Sequence, residues 1–246
     1  MAPPAPRRLT VIDSARISPH VQRVTLGEGE IHSFPQDQES ANIKLILSQA
    51  DGDKPLLRTY TVRQQRPDQF DIDITLHEPL GPGAHWAQQV RPGDQVLIRG
   101  PGSKKLMDQQ ADWYLLVGDM TALPSIAINL ARLPVDARGY ALIEVISEDD
   151  IQLLQHPAGV QLRWLVNPQP GQGSPLLEAT LELDWLPGVA AVWAACEFVT
   201  MRELRRYFKQ QRSVAREQLY ISSYWKQGNS EEQHRVVKRA DAEAGQ

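Results

Sequence analysis

The hexapeptide RTYTVR, Arg58 to Arg63, packs two arginines, a tyrosine and two threonines into one short stretch. Read as a strand, it alternates, so Arg58 and Tyr60 share a face. A guanidinium can fork two hydrogen bonds onto a diphosphate. A phenol two positions along can lay its ring against a flat aromatic cofactor. Thr61 offers a hydroxyl or a backbone N–H, although alternation turns its side chain the other way. Composition alone describes the same residues as a half-exposed strand with a surface arginine.

Further stretches carry chemistry-bearing types. In DIDITLHEPLGPGAHWA, residues 71–87, Asp71, Asp73, Thr75 and His77 fall on one face and Ile72, Ile74 and Leu76 on the other. This half-buried strand runs into Gly81-Pro82-Gly83, expected to open a helix at Ala84. Such a start presents unbonded N–H groups and a positive dipole end, suited to phosphate; a plain turn is the alternative. In VGDMTALPSIAINLARLP, Asp119 and Thr121 stand at the carboxyl end of a buried strand. Thr121 is expected to cap the following helix, with Pro124 in its first turn. The Gly-x-Gly-x-x-Gly nucleotide fingerprint is absent there. Cys196 and Glu197 end another apolar strand; with no base nearby in sequence, Cys196 reads as a small buried side chain. Arg202, Arg205, Arg206 and Lys209 read as a solvated helix face. Tyr224 and Trp225, beside Lys226, either fold over a cofactor or anchor the tail in the core.

These residues need elements to hold them. RRLTVIDSARISPHVQRVTLGEG gives two alternating segments, and NIKLILSQ, LRTYTVRQ, FDIDITLHE and DQVLIRGPG follow, separated by Gly/Pro/Asp turns. Six short strands predict a small antiparallel barrel or sandwich, interrupted by one helix at GAHWAQQV. From residue 113 the pattern changes. WYLLVG, YALIEVIS, VQLRWLV, GVAAVWAAC and QLYISSYW are apolar strands. TALPSIAINLARLP, SPLLEATLEL and EFVTMRELRRYFKQQR are helical segments between them. That alternation predicts a parallel sheet covered on both faces. The domains are therefore expected at 1–110 and 111–246, parting within residues 101–112, with a polar tail from Gly228 that is helical or frayed. Ligands of such sheets bind beyond the carboxyl ends of the strands.

Composition narrows the classes. The 246 residues are 41% hydrophobic and 23% charged, ordinary for a globular chain. A formal net charge of -4 argues against general nucleic-acid binding, so an anionic partner needs a local basic patch. One cysteine excludes an internal disulfide and any multi-cysteine metal site. No signal-peptide core and no stretch of ~20 apolar residues is present. A cytoplasmic monomer, with no membrane segment and no bound metal, is the expectation.

Taken in order, IKL, RTYTVR, LHEPLGPGAHWA, GPGSK, GDMTALPSIAINLARLP, MRELRRYF and YISSYWKQG resemble the siderophore-interacting proteins, or ferric-siderophore reductases, of the ferredoxin–NADP reductase superfamily. The resemblance covers nearly the whole chain. It implies a six-stranded antiparallel FAD-binding barrel followed by a Rossmann-like NAD(P)-binding-type domain. It also implies FAD-dependent reduction of ferric siderophores or other ferric chelates, which releases Fe(II). Arg58 would meet the FAD diphosphate, Tyr60 would stack on the isoalloxazine, and Thr61 would bond near flavin N5. Val62, His77, Gly81, Gly83, Ala84, Trp86, Asp119, Thr121, Ala122, Tyr224 and Trp225 complete the implied cofactor set. Lys44, with Arg63 and Lys226, would meet the anionic ferric chelate. No protein acid or base is required, so no catalytic residue is assigned. NAD(P)H is the implied electron donor, with ferredoxin the alternative. Two positions depart from the family: Cys196 stands where glycine is frequent and Met120 where glutamate is, and both bear on the donor. A flavin-linked reductase of another acceptor and a siderophore-binding module without electron transfer are the competing readings.

Overall fold

In the computed structural model, which describes residues 5–48, 55–77 and 79–244, the chain divides into two compact units between Lys105 and Leu106.

The first unit is a closed barrel of six antiparallel strands. They are β1 (Arg7–Ser18), β2 (Val21–Gly27), β3 (Asn42–Ser48), β4 (Leu56–Arg66), β5 (Gln69–Thr75) and β6 (Gln95–Arg99), joined in the order β1-β2-β5-β4-β3-β6. Period-two alternation builds it. Leu9, Leu26, Ile43, Leu45, Val62, Phe70, Ile72 and Ile98 point inward and are fully buried. Phe34 stacks on Phe70 with ring centroids 4.7 Å apart. Closure of β6 onto β1 leaves the sheet no open edge. The polar positions of the same strands face outward and pair across them. Arg23 forks onto Asp73 at 2.7 and 2.8 Å, and Arg66 onto Asp71 at 2.5 and 2.9 Å.

One helix, α1 (Pro82–Gln89), packs against this core through Ala84 and Ala87. It starts at Pro82, two residues before the expected Ala84. Gly81 is the N-cap and proline takes the first helical position, where its missing N–H costs nothing.

The second unit is a parallel sheet in the order β11-β10-β7-β8-β9. Its strands are β7 (Trp113–Gly118), β8 (Arg138–Val145), β9 (Gly159–Val166), β10 (Ala190–Glu197) and β11 (Leu219–Trp225). Every residue of β7 and β10 is buried, as strands covered on both faces must be. The covering helices are α2 (Leu123–Arg132), α3 (Leu176–Leu181) and α4 (Phe198–Arg206), the last continued by a π-helical turn over Tyr207–Gln211. Thr121 is not the cap of α2; Ala122 holds that place without a side-chain bond. The Thr121 hydroxyl is taken by the Asp119 carboxylate at 2.5 Å instead.

The polar tail forms a helix, α5 (Glu231–Ala244), tied down by specific polar contacts. Arg205 forks onto Asp241 at 2.7 and 2.9 Å, Lys238 donates to the Ser222 hydroxyl and the Ser223 carbonyl, and His234 Nε2 lies 2.8 Å from the Ser223 hydroxyl. Among the described residues, no helix is long and apolar enough to cross a membrane.

Candidate functional site

In the barrel unit, Arg58 and Tyr60 do share a face. Arg58 stands opposite Leu45 and Tyr60 opposite Ile43 on β3, so both turn toward the core side of the sheet. Neither is swallowed by it; both remain half-buried, with Tyr60 packed against the edge of the hydrophobic cluster. The start of α1 meets them there. A Cβ built on Gly83 would overlap the Tyr60 hydroxyl, and would lie 3.1 Å from Tyr60 Cζ and 3.5 Å from Arg58 Cγ. Residue 83 is therefore glycine because the phenol and the arginine stem occupy its side-chain space. Gly81 meets nothing within 4 Å and carries no such constraint.

The first intrahelical bond of α1 runs from the His85 N–H to the Gly81 carbonyl at 2.9 Å. The N–H groups of Gly83 and Ala84 precede it, and so belong to the positive end of the helix. A guanidinium, a half-buried phenol and two helix-start N–H groups thus converge on one corner of the barrel. That donor set fits a dinucleotide carrying a diphosphate and a flat ring.

The other barrel residues divide by face. Val62 is fully buried, and its backbone bonds Ala41 and Ser40, so its part is to hold the strand. The Ala84 side chain also belongs to the core, with Trp86 half-buried beside it. His77 is exposed, two residues past the end of β5. Lys44 lies on the opposite face of the ladder from Arg58 and Tyr60, where it donates to the Thr59 hydroxyl at 2.8 Å. Arg63 is the extra residue of a β-bulge between Val62 and Gln64. Burial lowers its pKa, against the partial offset of Asp73.

In the second unit, Asp119, Thr121 and Trp225 meet at the carboxyl ends of β7 and β11. Asp119 accepts from the Thr121 N–H at 2.9 Å and from Trp225 Nε1 at 2.8 Å. Burial raises its pKa, and these bonds only partly counter it. Tyr224 and Tyr220 flank Trp193, whose ring is fully buried. Lys226 lies 5.0 Å over the Phe198 ring.

Sequence reasoning placed Glu197 at a strand end without a role and did not single out Glu144. Glu197 caps α4, accepting from the Val199 N–H at 2.5 Å and the Thr200 N–H at 3.4 Å, and also takes the Gln227 N–H at 3.2 Å. Glu144 lies buried on β8, bonded by the Ser174 hydroxyl and by Asn167 Nδ2. Burial, with Asp119 and Glu197 nearby, pushes its pKa up to about 7. A glutamate inside the apolar run YALIEVIS was the available signal.

Cys196 is buried among these carboxylates, and burial first, then their charge, raises its pKa well above the ordinary thiol value. The thiolate is the reactive form. The folded protein is expected to leave an aromatic disulfide reagent unreacted, and to release one thiol equivalent only in denaturant. Rapid reaction of the native chain would contradict that burial.

Comparison with known proteins bears on both units. Residues 10–56 and 49–105 match the family described as siderophore-interacting FAD-binding domain, and residues 111–228 match that described as siderophore-interacting protein. The ferric vibriobactin reductase ViuB of Vibrio cholerae is 32% identical over 249 residues, spanning 92% of each chain. The siderophore-interacting protein SipS from Aeromonas hydrophila superposes with a TM-score of 0.86 at 34% identity, covering 97% of this chain and 98% of its own. A siderophore utilization protein from T. fusca gives 0.80 at 30% identity, covering 94% and 96%.

Proposed function

The chain belongs to the siderophore-interacting proteins of the ferredoxin–NADP reductase superfamily, and on that premise we propose that it is an FAD-dependent ferric-chelate reductase. The observation that carries this reading is the corner made by Arg58, Tyr60 and Gly83. Arg58 is the group for the diphosphate, Tyr60 the platform for the flat ring, and the Gly83 and Ala84 N–H groups the complement to a phosphate charge. Bound FAD supplies the redox chemistry, taking an electron pair from the donor and passing electrons singly to Fe(III). The protein orients and holds. Its acids and bases need not move a proton, because the siderophore's hard oxygen donors hold Fe(II) far more weakly than Fe(III), and reduction alone frees the metal.

Cationic side chains hold the anionic chelate against a chain of net negative charge. Lys44, Arg63 and Lys226 are the assigned groups. Thr61 pairs with Asn42 on the outer face of the β3–β4 ladder, one step of about 7 Å along the strand from the Lys44–Thr59 pair. A ferric chelate at Lys44 would thus stand near the position where the family resemblance sets the reactive edge of the flavin. NAD(P)H is the proposed electron donor, with the carboxyl edge of the parallel sheet as its seat; reduced ferredoxin is the second candidate, for which the absence of the Gly-rich fingerprint leaves room. A cytoplasmic location fits a chain with a single cysteine.

The test is spectroscopic. The purified protein is expected to be yellow, with a flavin band at ~450 nm. That band should bleach anaerobically with the true donor and return when a ferric chelate is added. Stopped-flow bleaching by NADPH, NADH and reduced ferredoxin ranks the donors. A colourless protein that still binds ferric chelates would refute the reductase reading.

A further inference from the structure

The proposed donor seat lies wholly in the second unit, along the carboxyl ends of its parallel strands. In a sheet of this kind the pyrophosphate of a dinucleotide lies at the turn after the first strand, here β7. The adenosine ribose then lies beyond the ends of the strands beside it, which by strand order are β8 and β9. NADH and NADPH differ only there, by a phosphate on the ribose 2′ oxygen. Holding that phosphate takes cations or unbonded N–H groups.

Cations are scarce at this edge. Arg163 is the only lysine or arginine between Gly139 and Met201. It stands in the middle of β9 and pairs with Glu182 at 3.4 Å. Arg202 and Lys226 lie over the Phe198 ring, by the ends of β10 and β11. Strand spacing sets β8 about 14 Å from β11, on the far side of β7.

The N–H groups that follow β8 and β9 are already used. The Ser147 N–H donates to the Asp150 carboxylate at 3.1 Å, the Asp149 N–H to the Ser147 hydroxyl at 3.2 Å, and the Asp150 N–H to the Ser147 carbonyl at 3.0 Å. The Ile146 N–H meets the Met120 sulfur at 3.4 Å, and the Asn167 N–H the Val145 carbonyl at 2.7 Å. The same turn instead presents acceptors. Glu148 and Asp149 are exposed, and among the described residues neither carboxylate takes a hydrogen bond or ion pair. A carboxylate accepts from a ribose hydroxyl and repels a phosphate. The seat itself follows from strand order; these two residues set its charge.

We propose that this edge takes a dinucleotide without a 2′-phosphate, NADH rather than NADPH, and that Glu148 and Asp149 determine the choice. The inference rests on the NAD(P)H reading of the donor and names the nucleotide that the seat accepts.

Two measurements on the full-length, flavin-loaded protein test it. In anaerobic stopped flow, NADH is expected to bleach the flavin about tenfold faster than equimolar NADPH at low ionic strength, and the gap should narrow as salt screens the exposed carboxylates. In calorimetry, NAD+ should bind tighter than NADP+ by a similar factor, with no electron transferred. Glu148→Lys combined with Asp149→Lys should bring both ratios to about one or invert them, while flavin content and melting temperature report an intact fold. The neutral pair Glu148→Gln with Asp149→Asn should narrow them by about threefold. NADPH equal to or better than NADH in the wild type overturns the inference and leaves the NAD(P)H reading standing. An NADH preference that survives both double variants overturns the assignment to these residues. If neither nucleotide bleaches a flavin that reduced ferredoxin does bleach, the NAD(P)H reading falls and this inference with it.

Discussion

Gly83→Ala should yield a folded protein that loses its flavin on desalting. The added methyl has nowhere to go: it would overlap the Tyr60 hydroxyl and lie 3.1 Å from Cζ of the same ring. The helix start cannot retreat, because Ala84 and Ala87 pack in the barrel core. The side chain that yields is Tyr60, a half-buried ring at the edge of that core, so the ring swings out of the plane proposed for stacking. Losing that stacking contact costs about 1 kcal/mol, and displacement of Arg58, whose Cγ lies 3.5 Å from the new atom, adds the loss of a charge-assisted bond, about 2 kcal/mol. Flavin affinity should therefore fall by about two orders of magnitude. The ratio of flavin to protein absorbance after gel filtration reads it. Combining the change with Tyr60→Phe removes the overlapping oxygen and should restore part of the binding, a coupling expected only if the clash is the cause. The Gly81→Ala methyl meets nothing, so that change should cost only the small N-cap preference for glycine over alanine. Full flavin retention by Gly83→Ala would refute the site.

That contact shows what the sequence could and could not reveal. The six barrel strands were readable because one face of each is buried, which forces period-two alternation. The parallel sheet was readable because burial on both faces forces continuous apolar runs. The shared face of Arg58 and Tyr60 followed from alternation alone. The reason for Gly83 did not, because its constraint is a ring on a strand distant in sequence; GPG read equally as a turn. Thr121 looked like a cap because a hydroxyl before an apolar helix usually is one; the nearby Asp119 carboxylate won its proton. Glu144 was visible as a polar residue in an apolar strand, but Ser174 and Asn167, which hold it, come from a later loop.

Glu144 and His234 should bend the stability of the chain in opposite directions with pH. Glu144 is 5% exposed and His234 6%, so solvent screens neither appreciably. Glu144 titrates at about 7 in the fold against 4.5 as its ordinary value, chiefly because burial penalises the charged form. A pKa raised by folding means that the native state binds the proton more tightly. The contribution is whole below pH 4.5 and is lost as pH rises through 7, weakening the fold by about 3 kcal/mol. His234 titrates at about 4 in the fold against 6.5, again through burial first, with Lys238 and Lys226 opposing its charge and Glu231 favouring it. The Ser223 hydroxyl and the edge of Phe198 also face the ring. Here the unfolded chain binds the proton more tightly, so the contribution is whole above pH 6.5 and is lost as pH falls toward 4, again by about 3 kcal/mol. Asp241, whose pKa the Arg205 pair lowers, loses its contribution only below the ordinary carboxylate value of 3.8, outside that window. Because the two windows overlap, the losses largely offset each other between pH 4.5 and 6.5, and the two groups leave a shallow stability maximum near pH 5.5, about 0.5 kcal/mol above either flank. Denaturant melts across pH 4 to 8 should show Glu144→Gln gaining on the wild type only on the alkaline side, since an amide accepts one bond and carries no charge to bury. His234→Gln should flatten only the acid limb, where the undocking of α5 from Ser223 is otherwise driven by the proton. A Glu144→Gln protein no more stable than the wild type at pH 8 would mean that the carboxylate is solvated in solution, and an unchanged acid limb in His234→Gln would place acid sensitivity elsewhere.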